Sequence, residues 1–159
     1  MYSMAFSAAI TGCGSFAPAV VEPPASVQPA PRAERSEALL QALLALGVDY
    51  RYGGESPATG YDCSGLVAHI YLEAWGIRLP RSTAAQSRAG VPVSLAELQA
   101  GDLVFYDTQK QPYSHVGIYL GDGRFVHAPK TGAQVRIESL KSAYWSQRYS
   151  GARHIEPAQ

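Results

Sequence analysis

The spacing of apolar residues changes near Gly90, and this change restricts the possible folds more than any other feature of the chain. Before Gly90, apolar residues recur every three to four positions, as they do on one face of a helix. After Gly90 they follow a period of two, which is typical of short strands. Helices first and strands second is the order of an α+β fold with an antiparallel sheet, not of an alternating α/β fold.

The segment before Gly90 is predicted to contain three helices. The first runs from Glu34 to Leu46 and stops at Gly47. The second follows a glycine-rich loop and runs from Cys63 to about Trp75, and the third is short and starts at a capping box of Thr83 and Gln86. The predicted buried residues are Ala38, Leu39, Ala42, Leu43 and Leu46 in the first helix, and Leu66, Val67, Ile70, Tyr71 and Ala74 in the second.

Five short strands are predicted after Gly90, and the second and third form a hairpin. A three-residue loop, 121–123, would place Leu120 opposite Arg124 and Gly117 opposite His127. His115 would then be the diagonal neighbour of His127, roughly 7 Å away on the same face, whereas a two-residue loop would change this parity. Val116, Ile118 and Leu120 would fill the core on the other face. The predicted strands are Leu103 to Tyr106, His115 to Leu120, Arg124 to Ala128, Gln134 to Ile137 and about Arg148 to His154.

Size and charge fit one compact domain with a short appendage. The chain has 159 residues, and its 13 Lys and Arg residues balance 13 Asp and Glu residues. Proteins that bind nucleic acid usually carry a basic excess, so a nucleic-acid partner is not expected. Two cysteines do not make a multi-bridge scaffold, and no apolar stretch approaches the roughly 20 residues that cross a bilayer.

The N-terminal region divides into a predicted signal segment, 1–16, and a Pro/Ala-rich linker, 17–33, ahead of a domain at 34–159. The sequence Ile-Thr-Gly-Cys at 10–13 resembles a bacterial lipobox, so Cys13 is a candidate for lipidation. Met1 to Ala9 contains no Lys or Arg, unlike the basic start of a secretory signal. An ordinary apolar tail with an incidental cysteine is the alternative.

Cys63 is the first candidate for chemistry because it lies where a loop becomes a helix. The free N–H groups and partial positive charge of a helix N-terminus favour the nucleophilic thiolate, although a small buried side chain would also fit there. Among four histidines, His69 is about 240° round the helix from Cys63, and His154 is interpreted as a surface imidazole on an edge strand. His115 and His127 remain as partners for the thiol.

The order Cys, His, His resembles the NlpC/p60 cysteine peptidases of bacterial cell walls, which have a papain-like α+β fold. The resemblance covers nearly all of 34–159. It rests on the stretches Tyr50-Arg51-Tyr52-Gly53-Gly54, Tyr61-Asp62-Cys63-Ser64-Gly65-Leu66-Val67, Leu79-Pro80-Arg81-Ser82-Thr83, Gly101-Asp102-Leu103-Val104-Phe105, His115-Val116-Gly117-Ile118-Tyr119 and Phe125-Val126-His127-Ala128.

The resemblance implies a role for each matching position. Cys63 would be the nucleophile, His115 the general base and His127 the residue that orients it. Tyr50 would help to bind the oxyanion, with Tyr52 as a competitor for that role. Three further residues are candidates for substrate binding. Asp62 and Ser64 would hold a polar end of the peptide, although Asp62 fits a helix cap equally well, and Arg81 would bind a stem-peptide carboxylate or lie on the surface.

The implied activity is hydrolysis of peptidoglycan stem peptides or their cross-links through an acyl-enzyme, with no metal or cofactor. The tail Tyr144–Tyr149 looks most like the murein endopeptidase lipoproteins of this family, which favours the D-alanine to diaminopimelate cross-link. The D-glutamate to diaminopimelate bond is the alternative. Two further readings are a zinc site of Cys63, His115 and His127, and a peptidoglycan-binding relative without activity. We expect a monomer in the periplasm, attached to the outer membrane by a lipid anchor.

Overall fold

The computed structural model describes residues 31–156, which fold into four α-helices, a two-stranded ribbon and a six-stranded sheet. The helices are α1 (Pro31–Leu44), α2 (Cys63–Trp75), α3 (Thr83–Gln86) and α4 (Ala143–Ser146). The strands are β1 (Glu55–Ser56), β2 (Gly60–Tyr61), β3 (Val91–Val93), β4 (Leu103–Tyr106), β5 (His115–Gly121), β6 (Arg124–His127), β7 (Arg136–Ser139) and β8 (Tyr149–His154).

The large sheet is antiparallel and has the strand order β3-β8-β4-β5-β6-β7. The prediction of an α+β fold is therefore confirmed. Five of the six strands overlap the predicted ones, although β7 begins and ends two residues later than predicted. β3 was missed because it is a three-residue strand with Pro92 at its centre, and proline is rare inside strands.

Helix α2 begins and ends where the sequence predicted. Asp62 caps it, because its Oδ1 accepts a hydrogen bond of 2.6 Å from the N–H of Gly65. Gly76 ends it in the left-handed conformation, at φ +67°. The predicted buried residues of α2 pack with Val116 and Ile118 in the main core, with Ala74 at its margin. One face of the sheet thus fixes the start of α2, and Cys63 with it.

Helix α1 begins at Pro31, three residues before the predicted start, and buries its small side chains rather than its large ones. Ala38 and Ala42, and Ala45 directly after the end of the helix, are in the core beside α2. Leu43 and Leu46, which were predicted to be buried, are 52% and 38% exposed. Packing through alanines brings the two helices close together, and this turns the leucines outward.

The β5–β6 hairpin has the predicted side-chain alternation but a different loop. Ile118 pairs with Val126 and Tyr119 with Phe125, as expected, yet Arg124 pairs with Gly121 instead of Leu120. The loop therefore has two residues, Asp122 and Gly123, both with the positive φ that such tight turns require. A bulge at Leu120 leaves that residue unpaired. His115 and His127 therefore remain on the same face of the sheet, whereas a two-residue loop without the bulge would have placed them on opposite faces.

Two other local predictions were wrong. Ser82, not Thr83, caps α3, and Gln86 is buried, where its Nε2 donates to the carbonyls of Ser64 and Pro80. His154 is not on an edge strand, because β3 covers β8. Its Nδ1 lies 2.6 Å from Oδ1 of the buried Asp102. Both errors come from tertiary contacts that a local pattern does not contain.

The second face of the sheet carries a smaller apolar cluster, although the sequence assigned it mainly to histidine. Trp145, on the unpredicted helix α4, packs there with Val104, Tyr106, Phe125 and Ala152. The two faces of the sheet are therefore both packed. Within residues 31–156, no helix combines the length and apolar character that crossing a bilayer would need.

Candidate active site

His115 and His127 form a buried imidazole pair. His115 is the first residue of β5 and His127 the last residue of β6. Nε2 of His115 lies 2.7 Å from Nδ1 of His127, so the predicted neighbourhood of these side chains is confirmed. They are 4% and 0% exposed. Because Nε2 of His115 is used in this contact, Nδ1 is the nitrogen left to exchange a proton with another group.

Trp145 closes the imidazole pair from solvent. Its ring stacks on His115 at 5.6 Å between centroids and meets His127 edge-on at 4.9 Å. Burial lowers the pKa of His115 to about 4, and burial also lowers the pKa of His127, helped by His115 and Arg136. Both rings are therefore neutral at pH 7. Sequence reasoning gave Trp145 no role at the site, because the aromatic tail was used only for the family resemblance.

Cys63 lies at the end of the sheet, beside the first residues of β5. It is a free thiol at the first position of α2. The backbone N–H of Val116, on β5, is close enough to the sulfur to lower the pKa of the Cys63 thiol. Since Val116 directly follows His115, the thiol and the imidazole pair lie at the same end of the sheet. Three candidates from separate parts of the sequence thus come together.

The ionisation of Cys63 differs from the prediction. Burial, followed by the charge of Asp62, raises the pKa of the thiol to about 11, although backbone N–H groups at the helix start and at Val116 oppose this. The helix N-terminus does lower the pKa of the thiol, as expected, but burial and the helix-capping carboxylate outweigh it. At pH 7 the Cys63 side chain is therefore a neutral thiol.

Tyr50, not Tyr52, lies beside the thiol. Tyr50 is partly buried against the main core, and its pKa is raised by burial first and then by the nearby Cys63 and Asp62. Tyr52 is 89% exposed. The structure therefore separates two tyrosines that the sequence left as competitors for one position.

Asp62, Ser64 and Arg81 tie the glycine-rich loop to the start of α2. Asp62 Oδ2 accepts a 2.9 Å hydrogen bond from the N–H of Gly53, and Ser64 Oγ donates to the carbonyl of Arg81 at 2.8 Å. Arg81 forms an ion pair with Glu55 at 2.9 Å and a longer one with Asp62 at 3.4 Å. All three predicted substrate-binding residues thus have partners within the protein, and the cap proposed for Asp62 is present.

Gly65 explains how the loop can lie so close to the helix. A Cβ at this position would come within 2.0 Å of the carbonyl oxygen of Gly54 and about 3 Å of the Arg81 guanidinium. Only glycine allows that approach. We name the group formed by Glu55, Asp62, Ser64 and Arg81, with the backbone of 53–54, the loop clamp.

The remaining candidates do not join this arrangement. The ring of His69 packs against Tyr61 at 5.2 Å between centroids. Across residues 31–156, no three His, Cys, Asp or Glu side chains are grouped so that they could hold a metal ion, and the zinc reading of Cys63, His115 and His127 is not supported. Cys13 lies outside the described residues.

Comparison with known proteins identifies the family of the chain. The sequence pattern of the NlpC/P60 family matches residues 47–154. The chain belongs to the NlpC/P60 family. That span contains both histidines, Cys63 and Tyr50, so the predicted family is confirmed.

Three relatives with known names are 40–45% identical to the chain. Murein DD-endopeptidase MepH of Escherichia coli is 44% identical over 113 residues, which is 69% of this chain and 42% of MepH. Murein DD-endopeptidase MepS/murein LD-carboxypeptidase of E. coli is 45% identical and covers 69% and 56% of the two chains. The γ-D-glutamyl-L-lysine dipeptidyl-peptidase of Bacillus cereus is 40% identical, with 70% and 34% covered.

Solved structures show the same fold. An NlpC/P60 family protein from B. cereus superimposes with a TM-score of 0.70 at 37% identity, over 76% of this chain and 39% of that one. The papain-like NlpC/P60 fold expected from the sequence is therefore confirmed. The chain spans roughly half or less of the length of MepH, MepS and the B. cereus peptidase.

Proposed function

We propose that this NlpC/P60 domain is a cysteine endopeptidase that hydrolyses peptide bonds of peptidoglycan. The observation that carries the proposal is the buried pair of His115 and His127, joined at 2.7 Å, at the same end of the sheet as the free thiol of Cys63. Neutral imidazoles beside a neutral thiol are suited to general-base activation of the sulfur. The names of the relatives support a cell-wall peptide as substrate.

The proposed reaction has two stages. The Cys63 sulfur attacks the scissile carbonyl carbon while its proton passes to Nδ1 of His115, the nitrogen that His127 does not occupy. His115 returns this proton to the leaving amine, the C–N bond breaks and a thioester remains on Cys63. Water then attacks the thioester, giving a proton to His115, and the sulfur leaves to regain its proton. His127 orients His115 throughout.

Tyr50 and the helix start would stabilise the tetrahedral intermediate. The hydroxyl of Tyr50 and the backbone N–H of Cys63 are the two proposed donors to the oxyanion, and one such donor contributes about 3 kcal/mol in comparable enzymes. Asp62, Ser64 and Arg81 are proposed to meet the polar groups of the peptide. Because the loop clamp already engages them, substrate would bind by sharing or replacing these contacts.

The D-alanine to diaminopimelate cross-link is the proposed scissile bond. Two of the relatives, MepH and MepS, are murein DD-endopeptidases by name, which supports cleavage across two stems. The B. cereus relative is named for a γ-D-glutamyl bond, so the D-glutamate to diaminopimelate bond is the second candidate. We further propose lipidation at Cys13 and action in the periplasm from the outer membrane, as a monomer.

Digestion of purified sacculi tests this function and the choice of bond. After the treated sacculi are solubilised with a muramidase, the wild-type protein should have converted cross-linked dimers into monomers, as identified by mass spectrometry. Fragments with D-glutamate at the new carboxyl end, together with peptides that begin with diaminopimelate, would instead support the second candidate. Binding to sacculi without any new fragment would contradict the enzymatic proposal and favour a binding protein.

A further inference from the structure

His127 has a buried nitrogen whose role the proposed triad does not explain. Its Nδ1 faces His115, but its Nε2 is fully buried and has no hydrogen-bond partner among residues 31–156. An unpartnered buried polar atom costs free energy, on the order of 1–3 kcal/mol. Its surroundings therefore matter for which nitrogen carries the proton.

The proton positions of the two rings are coupled. If His115 is to accept the thiol proton at Nδ1, its own proton must lie on Nε2 and be donated to Nδ1 of His127. A neutral His127 that accepts at Nδ1 must then carry its proton on Nε2, the buried atom. The opposite arrangement, with His127 protonated on Nδ1, would place the His115 proton on Nδ1 and block the base.

Glu138 is the acidic group next to that atom. Its position on β7 is opposite Phe125, while Arg136 is opposite His127, so Arg136, Glu138 and His127 point to the same side of the sheet. Oε1 of Glu138 lies 4.0 Å from Nε2 of His127. This is longer than a hydrogen bond, and the Glu138 side chain is 27% exposed, but a negative charge at this distance from a buried nitrogen favours an N–H that points towards it.

We propose that Glu138 is a positioning residue that keeps the His127 proton on Nε2 and thereby keeps Nδ1 of His115 free as the base. The inference rests on the proposed function and extends its triad by one residue. Glu138 does not touch the reacting atoms. It acts through His127, and the relay runs Glu138, His127, His115, Cys63.

The positive charge of Arg136 opposes the effect of Glu138 on His127, so a variant at Arg136 can be compared with one at Glu138. Its Nε donates to the same Oε1 of Glu138 at 2.7 Å. The other groups that face His127 are His115, Phe125 and Trp145. The charges near the pair are therefore one carboxylate and one guanidinium, which act in opposite directions. A purely structural ion pair would instead make the two single substitutions equivalent.

The first test reads the proton positions directly by ¹⁵N NMR of the imidazoles in the full chain at pH 7. We expect the wild-type protein to show His127 protonated on Nε2. In Glu138→Gln and Glu138→Ala, a measurable fraction should carry the proton on Nδ1. A wild-type His127 protonated on Nδ1, or the same tautomer in all three proteins, would overturn the inference. This readout does not depend on catalysis.

The second test uses kinetics on a soluble cross-linked muropeptide. Glu138→Gln should lower kcat about 10-fold or more with KM unchanged, and move the acid limb of the pH profile to lower pH, since the lost carboxylate favoured the protonated imidazole. Arg136→Gln should move it to higher pH. Glu73→Gln, an exposed residue of α2, is the control.

The outcomes separate this inference from the proposed function. If Cys63→Ala abolishes cleavage while Glu138→Gln and Arg136→Gln shift the profile in the same direction or not at all, Glu138 has no positioning role. If Cys63→Ala retains full cleavage, the proposed function fails, and the NMR result still decides the tautomer.

Discussion

The two sides of the site are built by different means. The histidine side consists of adjacent strands, where His115 and His127 are 4% and 0% exposed beneath Trp145. The cysteine side is a junction of loop and helix, tied by the loop clamp, in which the Arg81 side chain is 38% exposed. The imidazole pair is thus held in a packed, apolar layer, whereas Cys63, itself largely buried, adjoins a loop whose polar side chains are partly exposed.

The difference assigns separate tasks to the two sides. Burial lowers the pKa values of both imidazoles, so the histidine side stays neutral and able to accept a proton. Burial and Asp62 raise the pKa of Cys63, so the cysteine side holds a neutral thiol until a proton is taken from it. Activation of the sulfur therefore depends on the distance and orientation between the sides rather than on a preformed ion pair.

Removing the base should have the largest effect on turnover. We expect His115→Ala to lower kcat about 10³- to 10⁴-fold on a cross-linked muropeptide, because no other group takes the thiol proton. His69→Ala, outside the site, should stay within a few-fold of the wild type. A loss of comparable size in both variants would show that the effect comes from folding rather than from the base.

Removing the ring of Trp145 from the histidine side should lower both the stability of the fold and the activity. Trp145→Ala removes a 94%-buried ring, since only 6% of Trp145 is exposed, and should cost about 3–5 kcal/mol in the free energy of unfolding. Water would reach His115, and its pKa should rise towards its ordinary value of 6.5. Urea unfolding and an NMR titration of His115 measure the two effects. An unchanged pKa would mean that Trp145 does not seal the pair.

Substitutions of Tyr50 and Tyr52 test whether the Tyr50 hydroxyl stabilises the oxyanion. Tyr50→Phe should lower kcat about 10²-fold, since one donor to the oxyanion is lost while the ring remains. Tyr52→Phe is the matched control, because its side chain is exposed to solvent. Equal rates for the two variants would exclude a role for the Tyr50 hydroxyl in the transition state.

Removing the charge of Asp62 should change the stability of the fold least and should lower the pKa of the Cys63 thiol. Asp62→Asn keeps a good helix cap but removes a charge that raises the pKa of Cys63, so the pKa should fall. Alkylation of Cys63 by iodoacetamide at pH 8, followed on its tryptic peptide by mass spectrometry, should become a few-fold faster. Asp122→Asn, on the distant hairpin loop, should alkylate at the wild-type rate, and slower alkylation of Asp62→Asn would reverse the assigned sign.

The histidine side was largely predictable from the sequence. Period-two alternation placed His115 and His127 on one face, and the bulge at Leu120 left that parity intact. The start of helix α2 was predicted from the end of the glycine-rich loop and from Asp62 as a candidate cap, and its end was placed near Trp75, where the structure has it. These features depend on local periodicity and caps, which a single sequence contains.

The rest depends on contacts between distant segments. Trp145 reaches the imidazoles from α4, and Glu138 reaches them from β7, and neither placement follows from a local pattern. The helix start that lowers the pKa of Cys63 is visible in the sequence, whereas the burial that outweighs it and raises the pKa is not. The contact between His154 and Asp102, 52 residues apart, was missed for the same reason.

Digestion of purified sacculi by wild-type protein and Cys63→Ala, at matched concentration, tests the central claim most directly. After muramidase digestion of the treated sacculi, the wild type should have lowered the share of cross-linked dimers. Cys63→Ala should leave that share at the level of the buffer control and keep the wild-type circular dichroism spectrum. Loss of cross-linked dimers with Cys63→Ala at the wild-type rate would contradict the assignment of Cys63 as the nucleophile.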